Sequence, residues 1–383
     1  MEKALEKGKT LLVSGPASVA LMSGEASALG FNLPTRRKVV VRQDKAIPFE
    51  AVENSTLEIL LSGDASIEEV DENTILNSWR TIAETILKLP KPCTVTVLGD
   101  VDSGKNTFCL FLVNRSLAYG LKPAVIDADI GQSEVGPPTT IGLTTVQKPT
   151  LDFFSLSPDV IFFVGLTSPS SATRRVLEGL THLKKFVKSQ LTVVNTDGWV
   201  REEAAVRYKV ELIRSLNPEV IVAIQSAGEL EHLLAPVEKS NVFRVTSPTI
   251  TRKRNRESRK VLREQSYRKF LKGATTRLLS MDWVRFESVQ FDNDAPLGFD
   301  RLNAEKSLEK AIRVIGEGDM PGLLLGLLDD ERRFLGLGVL SKIDRVNRVL
   351  KIFTPCWERI SIVQFGRVRI DRFGREIGYA SGS

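Results

Sequence analysis

At 383 residues, with 42% hydrophobic and 26% charged residues, the chain has the composition of an ordinary globular protein of two or three domains. Cys93, Cys109 and Cys356 are scattered without CxxC spacing, and His182 and His232 are the only histidines, which argues against a disulfide framework and against a zinc cluster. A net charge of +6 and a pI near 9.1 fit a polyanionic partner without requiring one.

The first ten residues, MEKALEKGKT, lack the apolar core of a signal peptide, and no apolar run approaches the roughly 20 residues that span a bilayer. A reducing, cytoplasmic setting without membrane contact is expected. Short β-like runs at Thr10 to Val13, Val19 to Met22, Lys38 to Arg42 and Leu57 to Leu61, broken by Gly-Pro, Ser-Gly and Pro, predict a small N-terminal β domain over residues 1–72. From Asp71 a stripe of Ile75, Trp79, Ile82 and Ile86 predicts a connecting helix over 73–90, ended by Leu89-Pro90. Trp79, inside that stripe, reads as core.

From about Lys91 the pattern becomes apolar runs separated by helical segments: Thr94 to Leu98, Ala124 to Ile126, Val160 to Val164, Leu191 to Val194 and Val220 to Ile224. Runs apolar at nearly every position predict buried parallel strands covered by helices on both faces, with the chemistry on loops at the carboxyl edge. The last hundred residues change again. Gly322 to Leu328, a charged turn and Phe334 to Leu340 predict a hairpin, and Val349 to Phe353 a further strand. The expected fold class is α/β: a P-loop NTPase-type parallel sheet over 73–275, flanked by β domains at 1–72 and 276–383.

The most informative motif is GDVDSGKNT, comprising Gly99, Asp100, Val101, Asp102, Ser103, Gly104, Lys105, Asn106 and Thr107. A strand feeds a glycine-containing turn whose N–H groups can face phosphates, and the helix expected from about Lys105 to Tyr119 points its positive end at them. A nucleoside triphosphate is the expected ligand, with Lys105 supplying charge to its outer phosphates. The hydroxyl residue that normally follows this lysine and binds magnesium is replaced by Asn106, with Thr107 one place later. Either oxygen could serve the ion.

Asp127 and Asp129, in DADIGQ at the end of the next strand, should face the triphosphate, where magnesium and a reacting hydroxyl both need carboxylates. Gln132 could orient a phosphate oxygen or satisfy its own turn. Asn195-Thr196-Asp197-Gly198-Trp199 opens on the same edge, and its indole could stack on a base or pack beneath the loop. Residues 252–272 are crowded with cations, and Arg259 and Arg263 share one helical face, presenting guanidinium groups to phosphates or only to water.

These four motifs, in this order, resemble the polynucleotide 5′-hydroxyl kinase family, whose members include RNA kinases of the cleavage and polyadenylation machinery, a nucleolar pre-ribosomal RNA kinase and single-chain archaeal proteins, the last being the most similar in compactness. The resemblance covers most of the chain and implies transfer of the γ-phosphate of ATP, with Mg2+, to the 5′-hydroxyl of RNA, with DNA as a further strand. It assigns Lys105 to the triphosphate, Asp129 to the general base, Gln132 to the same acidic motif and Asp127 to the metal's supporting shell. Thr196, Gly198 and Trp199 match a TxGW clasp for the substrate base, and Arg259 with Arg263 an RxxxR lid over the phosphates. Arg252 and Arg256 show the same spacing. Asn106 departs from the family pattern. Two other readings, an ATP-binding scaffold in RNA processing and a hydrolysing assembly factor, share the same loop, and the sequence names no protein partner.

Overall fold

The computed structural model describes residues 1–43, 45–71, 74–237, 241–248, 255–288 and 320–380, with 308, 309, 312, 316 and 318. Two antiparallel sheets form the N-terminal β domain. One runs in the order Glu2–Leu5, Ser55–Leu61, Ala17–Ser23, Lys38–Val41, and the other Phe31–Asn32, Ala26–Ala28, Ala46–Ala51, Thr10–Ser14, Ser66–Val70. Leu11, Val13, Val19, Phe49 and Leu57 join them in one core. The four runs read from the sequence are all strands. Ala46–Ala51, interior to its sheet, escaped because Pro48 breaks the pattern, and the edge strand Ser66–Val70 because it is mostly polar.

The helices are α1 (Asn77–Lys88), α2 (Lys105–Ala118), α3 (Thr173–Lys184), α4 (Glu203–Leu216), the single turn α5 (Glu231–Leu234) and α6 (Arg256–Phe270). α1 starts four residues later than the expected 73–90, so Ile75 is buried ahead of the helix rather than in it. It ends at Leu89, because the residue before a proline is pushed out of helical geometry. Trp79 is wholly buried, packs edge-on against Phe108 of α2 at 5.2 Å and donates its Nε1–H to the carbonyl of Thr246 at 3.0 Å. It is core, as the stripe implies.

The central sheet comprises β1 (Cys93–Gly99), β2 (Pro123–Asp127), β3 (Thr140–Thr145), β4 (Val160–Phe163), β5 (Leu191–Asn195), β6 (Val220–Gln225) and β7 (Asn241–Thr246), in the order β4-β3-β2-β5-β1-β6-β7. The neighbours β2-β5, β5-β1, β1-β6 and β6-β7 pair in parallel. Alternate residues divide between two cores: Val95, Val97 and Val193 share one with α1, α2 and the N-terminal domain, and Leu98, Val194 and Ile221 the other with α3 and α4.

One expectation is overturned and one strand was not expected. β4 is an edge strand paired antiparallel to β3, and its first three residues are only half-buried, because helices and a second domain rather than a further strand border it. β3, which is antiparallel to β2 as well, lies in a threonine-rich stretch that carries no apolar run.

The C-terminal sheet runs Thr275–Ser280, Val349–Thr354, Phe334–Asp344, Leu323–Leu328, Ile362–Ile370, Arg285–Ser288, with Glu376–Tyr379 added to Ile362–Ile370. The expected hairpin and third strand are present. This domain docks on the β4 edge at two glycines: a Cβ on Gly326 would come within 2.5 Å of the Phe163 ring, and one on Gly366 within 2.9 Å of the Gly165 carbonyl oxygen. No helix among the described residues is long and apolar enough to cross a membrane.

Replacing Trp79 with alanine removes the largest wholly buried side chain among the described residues and leaves the Thr246 carbonyl without its donor. A loss of about 3–5 kcal/mol in unfolding free energy is expected from denaturant titration.

Candidate active site

β1 delivers the chain to the Gly99–Thr107 loop at the carboxyl edge of the sheet. Two residues of the loop take left-handed backbone, Asp102 at φ +58° and Gly104 at φ +96°, and the second caps α2. A side chain on Gly104 would also crowd Trp79 and Pro248 at 3.2 Å, so glycine is required for space as well as for backbone angle. Lys105 is buried and its Nζ donates to the carbonyl oxygens of Gly99 and Asp100 at 3.0 and 2.7 Å. Burial holds its pKa below the usual lysine range, while Asp129 pulls it back up. Ser103 Oγ and Asn106 Oδ1 are buried side-chain atoms without a hydrogen-bond partner beside this loop.

One cavity of about 820 Å³ runs along this edge and brings together the P-loop, Asp129, Gln132, Trp199, Arg259 and Arg263. Asp129 Oδ1 accepts from the N–H groups of Gly131 and Gln132 at 3.2 and 3.0 Å. Burial and the nearby Asp197 carboxylate raise its pKa above the ordinary aspartate value, with Lys105 and the Gln132 N–H opposing. Gln132 Nε2 donates to the carbonyls of Gly131 at 2.9 Å and Arg259 at 3.4 Å, joining the acidic loop to α6.

Asp127 is placed differently from its expected role beside a metal. It is wholly buried, off the cavity wall, and its oxygens accept from Glu134 N–H (2.7 Å), Val135 N–H (3.2 Å), Asn195 Nδ2 (3.0 Å) and Asp129 N–H (3.3 Å). It therefore shapes the loop that carries Asp129. Burial, reinforced by Asp129, pushes its carboxyl up to about 7.

Thr196 also departs from the substrate role expected of it. Its hydroxyl donates to the Val97 carbonyl at 2.8 Å, inside the sheet, and the side chain is wholly buried. Gly198 and Trp199 do reach the cavity. The Trp199 ring stacks on Tyr208 at 5.9 Å, and its backbone N–H donates to Asp197 Oδ1 at 3.0 Å. Asp197 in turn pairs with the wholly buried Lys209 at 2.8 Å and accepts from the Tyr208 hydroxyl at 3.0 Å. Lys209 gives no sign of this role in the sequence, because a lysine in the middle of an amphipathic helix normally marks the solvent face. It meets Asp197, twelve residues earlier, because α4 turns back beneath the loop.

Arg259 and Arg263, the arginines expected to form a lid, are both on α6 and both on the cavity wall, and both are already paired. Arg259 Nη2 donates to Asp102 Oδ2 of the P-loop at 3.0 Å, and Arg263 is held by Glu376 of the C-terminal domain. Arg256 is exposed at the start of the helix, and Arg252 lies outside the described residues. Three further residues on the cavity wall went unread in the sequence. Arg201 donates to the Asp100 carboxylate from Nε at 2.8 Å, Ser266 presents a buried Oγ without a partner, and Thr167 closes the side towards the C-terminal domain. Each is an ordinary residue in a loop or helix, and only the fold brings it to the sheet edge.

A phosphate loop faced across one cavity by a carboxylate and a basic helix defines a P-loop phosphotransferase site. Residues 99–273 match the family described as mRNA cleavage and polyadenylation factor CLP1 P-loop. Among curated proteins, the chain is 29% identical over 327 residues to a polyribonucleotide 5′-hydroxyl-kinase of Methanocaldococcus jannaschii, covering 75% of this chain and 90% of the relative. It is 27% identical over 331 residues to the enzyme of that name from Pyrococcus horikoshii, covering 77% and 91%. Among solved structures, a chain of the wild-type Clp1p–Pcf11p complex superposes with a TM-score of 0.73 at 14% identity, covering 96% of this chain and 97% of that one, which shows the shared fold.

Gly198 packs directly on the P-loop: a Cβ there would come within 2.7 Å of the Val101 backbone nitrogen. Gly198→Ala must displace that backbone, an overpacking of about 1–3 kcal/mol. ATP affinity measured by calorimetry is expected to fall roughly tenfold.

Proposed function

We propose that the chain is an ATP-dependent polynucleotide 5′-hydroxyl kinase that moves the γ-phosphate of ATP onto the 5′-hydroxyl end of RNA, with DNA as a further strand. The observation that carries this reading is the convergence of Lys105 and Asp129 on one cavity. The names of the archaeal relatives support it.

Phosphoryl transfer needs positioning and charge neutralisation more than covalent chemistry. Lys105, held beneath the loop by two carbonyls, supplies a buried positive charge for the outer phosphates. Asp129 takes the proton of the 5′-hydroxyl as its oxygen attacks, and its raised proton affinity suits it to that role. One face of Trp199 rests on Tyr208, and the other serves a substrate base. Arg259 and Arg263 flank the phosphates from α6.

The residues fit magnesium. Asn106 Oδ1 is a buried, hard oxygen without a hydrogen-bond partner in the first turn of α2, and Thr107 follows it. When bound, the ion neutralises charge developing on the phosphate oxygens. Asp127, with both oxygens committed internally, is left out of this set. The domain spans that accompany this reading are 1–72, 73–275 and 276–383.

Incubation with γ-labelled ATP and a 5′-hydroxyl oligonucleotide is expected to place label on the strand. Label released as free phosphate would mark a hydrolase, and no turnover a scaffold. Asp129→Asn is expected to lower labelling by about 10² to 10⁴-fold while ATP binding is retained.

A protonated Asp129 cannot accept the hydroxyl proton, so the rate rises with pH as this group ionises. Because its pKa is raised, the acid limb of kcat/KM should lie above the ordinary aspartate value and vanish from the residual activity of Asp129→Asn. In magnesium titrations of the kinase rate, Asn106→Ala should need more metal than the wild type. A wild-type response in that variant, with a lost response in Thr107→Ala, would move the ion to Thr107.

A further inference from the structure

The strand Glu376–Tyr379 of the C-terminal domain lies against the lid helix, and one contact falls on a lid arginine. Arg263 donates from Nε and Nη2 to the two carboxylate oxygens of Glu376, at 2.5 and 2.8 Å, with the side chains only 14% and 7% exposed. Other contacts clamp the same two segments. The Glu264 carboxylate accepts from the Glu376 backbone N–H at 3.0 Å, and Arg268 Nε donates to the Phe373 carbonyl at 3.1 Å. Gly374, at φ +77°, is packed so closely that a Cβ would meet the Arg268 backbone nitrogen at 3.0 Å. Tyr379 then shares a 2.6 Å hydrogen bond with Thr167 on the cavity wall.

A two-pronged carboxylate contact fixes both the plane and the rotation of a guanidinium group. With Nε and Nη2 committed to Glu376, the Nη1 amino group remains as a donor on a side chain that lines the cavity. A buried ion pair adds little net stability over an apolar pair, so the gain here is in geometry. We infer that Glu376 is a positioning residue for phosphoryl transfer, orienting Arg263 from the C-terminal domain so that Nη1 meets the charge that develops on the transferring phosphate. This inference rests on the kinase reading. It makes the C-terminal domain part of the reaction rather than a support for the fold.

The test compares the full chain with Glu376→Gln, Arg263→Ala and the double variant, using γ-labelled ATP and a 5′-hydroxyl oligonucleotide. Glutamine keeps the shape but removes the charge and one of the two acceptors. The expected result for Glu376→Gln is a fall in kcat of about 10²-fold, with the oligonucleotide KM and the thermal midpoint near those of the wild type. The double variant should be no slower than Arg263→Ala alone, because both changes act through one guanidinium. Additive losses in the double variant, or an unchanged kcat in Glu376→Gln, would overturn the inference and leave the kinase reading standing. So would a lowered thermal midpoint with kcat intact, which would make the contact a structural clamp. A wild-type chain that puts no label on the strand overturns both.

Discussion

Charge held out of water at the carboxyl edge of one sheet is the constraint on which the rest of the site depends. Lys105, Asp127, Asp197 and Lys209 are buried there, and Asp129 is half-buried among them. A buried charge is tolerated only when it is paired and hydrogen-bonded, and the surrounding structure supplies those partners. Four N–H donors surround Asp127. Asp197 has Lys209, the Tyr208 hydroxyl and the Trp199 N–H. Lys105 has two carbonyls of its own loop. Asp129 stands on the cavity wall with a raised proton affinity, whereas Asp127, two residues earlier, lies off the wall inside the loop.

The flanking domains extend the same edge. The N-terminal sheets share a continuous core with α1, α2 and one face of the central sheet, so the wall that residues such as Ile47 and Pro48 give the cavity is fixed relative to the P-loop. On the other side, Phe163 and Gly165 seat the C-terminal domain through glycines that let the backbones approach. α6 is tied on both sides, by Arg259 to the P-loop and by Arg263 to Glu376 of the C-terminal domain. The cavity is lined by residues of the N-terminal and central domains, and the ion pairs that tie α6 in place join residues more than a hundred apart.

Much of the central domain is legible along the chain. The apolar runs of β1, β2, β5 and β6 mark strands because a sheet covered on both faces needs apolar residues at nearly every position. β3 and Ala46–Ala51 are not legible, since threonines and Pro48 mask strands whose pairing comes from distant partners. The P-loop, DADIGQ, Trp199 and the basic helix could be found as local motifs. Their internal division of labour could not: Asp127 and Asp129 are two residues apart, and the sheet sends one into the interior and the other to the cavity. Thr196 and Trp199 separate in the same way.

The sequence by itself determined the ligand chemistry and the class of fold, because phosphate binding depends on a short stretch of backbone followed by a lysine, and a covered parallel sheet on the local density of apolar residues. Only the tertiary structure decided which polar groups are satisfied. Lys209 beneath Asp197, Arg259 on Asp102 and Glu376 on Arg263 are contacts between residues whose local sequence gives no sign of one another. The cost of burying a charge is set by every neighbour that the whole fold brings to it, and that sum is not written in any single segment of the chain.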